Sequence, residues 1–128
     1  MNRNMDLVRD LLLAIENDPK LDGKTVNVLN QPSDIGITDF TLEEIEYHLV
    51  MLIDQGLVDG KITPQMPIIF SKLTWQGHDF IDAIRDPDVW QRTKEGAKKA
   101  GGFSLELLSD LAKGLIKKKI EEHTGVQL

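Results

Sequence analysis

The chain has 128 residues, 28% charged and 41% hydrophobic, which is room for one soluble domain with its own core and too little for two full domains. The absence of cysteine excludes disulfides, thiolate nucleophiles and cysteine-based zinc sites. With 15 basic against 21 acidic side chains the net charge is −6, the wrong sign for coating nucleic acid or anionic lipid.

No apolar run approaches the roughly 20 residues that span a bilayer. The first residues mix Arg3 and Arg9 with Asp6 and Asp10 and lack the layout of a signal peptide, so a soluble cytoplasmic protein is expected. The charge is unevenly placed. Residues 1–90 hold 7 basic and 16 acidic side chains (net −9), and residues 91–128 hold 8 and 5 (net +3). Such asymmetry can steer partners or self-association, or be a solvated surface and nothing more.

In chain order, Leu7, Val8, Leu11, Leu12 and Ile15 recur at three- and four-residue steps, which predicts an amphipathic helix from Met5 to Asn17. Asn4 is its candidate N-cap, and Asp18-Pro19 ends it. Thr25 to Leu29 alternates and is β-branched, the pattern of a short strand, and Ile37 is a candidate for a second extended piece. Pro32, Gly36 and their polar neighbours break any helix between.

Thr41-Leu42-Glu43-Glu44 is a capping box, opening a helix to about Gln55 with Gly56 as its left-handed terminator. Leu57 to Ile62 and Ile68 to Leu73 read as two strands of a hairpin. Thr63 to Pro67 reads as the loop between them, whose prolines stop further pairing and suit a mobile projection. Thr74 caps a helix from Trp75 to about Arg85 with Phe80, Ile81 and Ile84 inward. Asp86-Pro87-Asp88 starts another, with Val89, Trp90, Thr93 and Ala97 inward and Gly101-Gly102 at its end. Ser104 caps the last helix, which ends near His123 and Gly125. Its Lys117, Lys118 and Lys119 are expected at the negative end of the helix dipole.

Helix, strand, capped helix, hairpin, helix is the plan of a winged-helix domain. Two stretches sharpen it: Tyr47 to Val58, similar to the recognition helix and following turn of many bacterial winged-helix regulators, and Leu73-Thr74-Trp75-Gln76-Gly77-His78, resembling the Leu-Thr-x-x-Gly step after a wing strand. Met5-Asp6-Leu7-Val8-Arg9, the Tyr-His-Leu helix, Leu-Thr-Trp-x-Gly-His, and Asp82-Ala83-Ile84-Arg85-Asp86 leading to Val89-Trp90 follow in one order. Together they resemble a bacterial and phage family catalogued as a domain of unknown function, number 2513. The resemblance implies a winged-helix-like core with a helical C-terminal extension in a prokaryotic or prophage setting, and implies no activity. One departure from a DNA-reading helix-turn-helix stands out: Ser33 to Phe40, where a scaffold helix belongs, holds Gly36 and turn formers.

On a helical wheel Leu42, Ile45, Leu49, Leu52 and Ile53 share one arc of the capped helix. Glu43, Glu44, Tyr47, Met51, Asp54 and Gln55 share the other. The outward arc thus offers three carboxylates and no Lys or Arg, which opposes phosphate neutralisation and guanine readout. Only Lys61 and Lys72 stand near the base of the wing. Tyr47 and Met51 among acids suit a protein interface, or pack against the C-terminal extension. The basic residues Arg92, Lys94, Lys98, Lys99, Lys113 and Lys117 to Lys119 lie on the last two helices, as a nucleic-acid surface or a solvated face.

Chemistry is thinly signalled. His48 is read as a partly buried structural histidine, and His123 lies in a fraying tail. His78 with Asp79 and Asp82 has metal-like spacing but too few ligands, and the alternative is that His78 and Trp75 cover the hairpin. Thr41, Thr74 and Ser104 are explained as caps, and no glycine-rich loop opens a helix after a strand. In the last helix Leu105, Leu107, Leu108, Leu111, Ala112, Leu115, Ile116 and Ile120 form a stripe too broad for a coiled-coil seam. It reads first as folding back on the domain, with surface left to share in a homodimer.

The expectation is therefore an α+β protein: a winged-helix-like core of helices and a small antiparallel hairpin at residues 1–86, with a helical extension at 87–128 packed on it. The expected role is a non-enzymatic regulatory or adaptor protein acting on a protein partner through Glu43, Tyr47, Met51 and Asp54. The alternative is a DNA-binding transcriptional regulator of a bacterium or prophage using Arg92, Lys94, Lys98, Lys99, Lys117 and Lys118. No catalytic residue, cofactor, metal ligand or membrane contact is expected.

Overall fold

The computed structural model describes residues 1–64 and 66–128, among which five α-helices and a three-stranded antiparallel sheet make an α+β fold. The chain forms two compact units, Met1–Asp79 and Phe80–Leu128.

The first unit begins with α1 (Met5–Asn17), whose Asn4 side chain accepts from the Asp6 and Leu7 N–H groups at 3.0 and 3.2 Å. Its 3.6-residue stripe of Leu7, Val8, Leu11, Leu12 and Ile15 is buried together with Met5. The strand predicted after it shrinks to β1 (Asn27–Val28), because the Thr25 hydroxyl donates instead to the Lys20 carbonyl at 2.9 Å and Val26 stays exposed.

Ile37 is not extended into a strand, contrary to expectation. The segment holds a single 3-10 turn, Pro32–Asp34, and Ile35 and Ile37 are buried as loop residues. The turn is organised by Asp34, whose carboxylate accepts from the Asn30 and Gln31 N–H groups at 2.9 and 3.0 Å. The Asn30 N–H, joined by that of Gln31, holds the Asp34 carboxyl below its ordinary pKa.

The capping box of α2 (Leu42–Asp54) is formed in both directions. Glu44 N–H donates to Thr41 Oγ1, and Thr41 N–H donates to Glu44 Oε1, each at 3.2 Å. At the other end Gly56 is left-handed (φ +75°), Leu57 N–H donates to the Leu52 carbonyl at 2.9 Å and Gly56 N–H to that of Ile53 at 3.0 Å. This is a Schellman terminus.

Strands β2 (Val58–Thr63) and β3 (Met66–Leu73) follow, and β3 lies between β1 and β2. The five-residue loop expected from Thr63 to Pro67 is shorter, since Thr63 pairs with Met66 and Pro67 lies within β3; Gln65 is outside the described residues. Pro67 is tolerated because it faces the register shift between Lys61 and Thr63, where the ladder is already irregular.

A clasp joins the hairpin to α3 (Trp75–Ile84). Thr74 N–H donates to the Leu57 carbonyl at 3.0 Å, the Thr74 hydroxyl donates to the Gly56 carbonyl, and Thr74 Oγ1 accepts from Gly77 N–H at 3.1 Å. The approach is so close that a Cβ on Gly77 would fall 2.1 Å from the Leu57 carbonyl oxygen. The Leu-Thr-x-x-Gly pattern is thus a packing requirement of this corner.

In the second unit the rest of α3 buries Phe80, Ile81, Ala83 and Ile84. The next helix, α4 (Pro87–Ala100), has Asp86 as N-cap, accepting from Asp88 and Val89 N–H at 2.8 and 3.0 Å, and Gly101 as left-handed terminator. Its buried side is Val89, Trp90, Thr93 and Ala97. The last helix, α5 (Leu105–Thr124), packs on α4 and is capped by Ser104, which accepts from Leu107 N–H at 3.1 Å.

One expectation for α5 is corrected. The helix runs five residues past Lys119, so Lys117 to Lys119 fall short of the last turn, where the dipole acts. Lys119 instead pairs with Asp86 and Asp88 at 3.6 and 3.4 Å. Of the eight-residue apolar stripe only Leu108 and Ala112 are fully buried; Ile120 is 40% exposed and the others are half-buried.

Candidate interaction face on the second helix

The site is built on α2, and α2 is oriented by His48. This side chain is 1% exposed and spends both ring nitrogens on backbone: Asn4 N–H donates to Nε2 at 2.8 Å, and Nδ1 lies 2.7 Å from the Glu44 carbonyl. Since Nε2 accepts, Nδ1 carries the proton, and the ring is the neutral Nδ1–H tautomer. His48 is therefore more deeply buried than its position on the wheel implied. It joins Ile45, Leu49 and Leu52 on the inward arc, while Leu42 and Ile53 are only half-buried.

The opposite arc faces outward. Tyr47 is 39% exposed and meets the His48 ring edge-on, with centroids 5.6 Å apart; Glu43 and Asp54 are exposed; Met51, Val50 and Glu46 are half-buried. Tyr47, Val50, Met51 and Asp54 follow the i, i+3, i+4, i+7 spacing of one helix face. Glu43, Glu46 and Asp54 have no ion-pair partner within 4.0 Å among the described residues, and no Lys or Arg stands on this helix. A half-exposed aromatic and apolar strip with unneutralised carboxylates beside it can bury apolar area and attract cations.

Trp75 was expected to help cover the hairpin and does not: it is 78% exposed. It is the first residue of α3 and follows Thr74, whose N–H and hydroxyl donate to the Leu57 and Gly56 carbonyls. The signal in the sequence was that its helical neighbours, His78 and Asp79, are polar and offer it no apolar partner.

The other candidates are accounted for locally. His78 Nδ1 lies 3.2 Å from the Glu16 carboxylate, and Asp82 pairs with Arg85; no group of three metal-ligating side chains occurs among the described residues. Arg92 pairs with Asp88 at 3.4 Å, and the Lys94 ammonium lies 5.4 Å from the centroid of the buried Trp90 ring. Lys98 and Lys99 sit in the last turn of α4, where the dipole favours cations, and Lys117 and Lys118 are exposed on α5. A cleft of about 150 Å³ between α4 and α5, lined by Arg92, Lys118, Lys119 and Glu122, mixes both charges. Asp10 lies in a shallow cleft with Asp39; burial, then the charges of Asp6 and Asp39, push its carboxyl above the ordinary value against the pull of Arg9. No helix of the described residues is long and apolar enough to cross a membrane.

Comparison with known proteins adds two findings. The family described as "Hypothetical protein (DUF2513)" matches residues 2–104, which spans everything up to the cap of α5. A protein of Haemophilus influenzae described as uncharacterized is 34% identical over 120 residues, covering 91% of this chain and 96% of its own length. No solved structure matches.

Proposed function

The chain belongs to the DUF2513 family, whose description carries no activity, and from that premise we propose a function on chemical grounds: a non-enzymatic regulatory or adaptor protein that acts by protein–protein interaction through α2. In this reading the helices and hairpin of the first unit form a winged-helix-like core of a bacterial or prophage protein working in the cytoplasm. The carrying observation is the outward arc of α2, where Tyr47 is 39% exposed beside half-buried Met51 with Glu43 and Asp54 around them. On a DNA-reading helix this arc would meet phosphates, yet it offers carboxylates and no Lys or Arg to neutralise them. On a protein-binding helix the same residues are an apolar anchor with a charged rim.

The test is a photo-crosslinking amino acid in place of Tyr47, in cells of the native host. A discrete adduct that disappears when Met51→Lys is added supports the reading. A uniform absence of adducts, with the protein folded and abundant, counts against it. The DNA-binding alternative rests on the exposed Lys98, Lys99, Lys117 and Lys118. It is checked by titrating mixed-sequence duplex at low salt. Binding that weakens steeply with salt and is lost in Lys98→Glu/Lys99→Glu would move the assignment to DNA.

A further inference from the structure

We propose that the α2 face takes the outer flank of α5 from a second copy of this chain, so that the protein self-associates through unlike surfaces. The inference rests on the interface reading above and names the partner.

The occupant is argued from complementarity. On α5, Ile116 and Ile120 lie one turn apart, and Lys113 and Lys117 lie one turn apart beside them on the same flank. Ile120 is 40% exposed, Ile116 is half-buried, and both lysines are exposed. Neither lysine has an ion-pair partner within 4.0 Å among the described residues, in contrast to Lys119, which is held by Asp86 and Asp88. The α2 arc presents the converse: Tyr47, Val50 and Met51 as the apolar strip, with Glu43 and Asp54 unpaired on its rim.

The two strips therefore match in kind, apolar against apolar and unpaired acid against unpaired base. They also match in reach. The α5 strip from Lys113 to Ile120 extends about 10 Å and the α2 strip from Tyr47 to Asp54 about the same, so the two apolar strips can lie alongside each other. The apolar stripe of α5 is broader than its packing on α4 consumes, which leaves this flank for a second molecule. Made reciprocally the contact closes a dimer, and made in one direction it yields a concentration-dependent series.

The experiment is light-scattering mass and sedimentation of the full chain at low and high salt. The wild type is expected above monomer mass at low salt. Both Glu43→Lys/Asp54→Lys and Lys113→Glu/Lys117→Glu should weaken association on the order of tenfold or more, with unchanged circular dichroism. Mixing the two variants should restore heavier species, because their altered surfaces are complementary. A crosslinker at position 47 should then map to the peptide holding Ile116 and Ile120.

A wild type that is monomeric at every concentration overturns the inference. So does association indifferent to both charge reversals, or a crosslink elsewhere on the second copy. A monomer that still gives a Met51-dependent adduct in cells sinks self-association and leaves the interface reading standing.

Discussion

His48 illustrates how one side chain joins distant parts of the chain. It supplies an acceptor to Asn4 N–H and a donor to the Glu44 carbonyl from a position closed to water. Replacing it by leucine keeps apolar volume but strands the Asn4 N–H. His48→Leu should cost about 1–3 kcal/mol in denaturant unfolding. Thr93 presents the opposite situation. It is fully buried on α4, and its hydroxyl finds no hydrogen-bond partner among the described residues. Thr93→Val keeps the shape and removes the orphan oxygen, so it should raise stability by about 1 kcal/mol in the same measurement. The inward position of Thr93 was readable from periodicity. The depth of His48 was not, since it depends on a partner 44 residues away. The exposure of Trp75 had a local signal in its polar helical neighbours, but a large apolar residue after a cap usually finds cover, and only the fold decides whether any is within reach.

At the scale of elements, glycines of one chain have opposite meanings. Gly77 sits in the clasp between the hairpin and α3, where a methyl group would collide with the Leu57 carbonyl. Gly77→Ala should destabilise by about 1–3 kcal/mol or more, and the backbone cannot yield without breaking the Thr74 bonds. Gly96 is inside α4, where an added Cβ would meet only Leu111 at an ordinary 3.5 Å. Gly96→Ala should therefore stabilise by about 1 kcal/mol, through helix propensity and the added contact. Thermal unfolding of the two variants side by side checks both signs.

Helix boundaries were legible because caps act within four residues: Asn4, Thr41, Asp86 and Ser104 all bond as their local sequence demands. Strand lengths were not, because pairing depends on neighbours. Thr25 looks β-forming, yet turns its hydroxyl to Lys20, and Pro67 looks loop-forming, yet lies opposite a register shift. The outward arc of α2 and the spare width of the α5 stripe were readable from the wheel, while which of its residues a neighbour covers was not.

Over the whole molecule the charges divide sharply. The first unit carries 6 basic and 13 acidic side chains, and the second carries 9 and 8. Each unit also contains a carboxylate held below its usual range. Asp34 is held by the Asn30 and Gln31 N–H groups, and Asp86 by the Val89 N–H and then by Lys119. A depressed folded pKa contributes stability above the ordinary carboxylate value and loses it as pH falls through the lowered one. Protonation of Asp34 or of Asp86 should therefore remove stability from its own unit in acid, while the raised Asp10 carboxyl works the other way in the first. In Asp34→Asn and Asp86→Asn the fall of melting temperature on the acid side should be shallower than in the wild type, measured from neutral pH downward.

The bond from Asn4 N–H to His48 has a consequence for how the chain acquires its shape. Asn4 caps α1 with its side chain, while its own backbone is tethered by a residue of α2. The cap of the first helix is local, but the backbone at Asn4 is anchored only after the middle of α2 has arrived. During synthesis a nascent chain that has released α1 alone holds that end by its side-chain cap only, and the step that adds the second tether is tertiary docking.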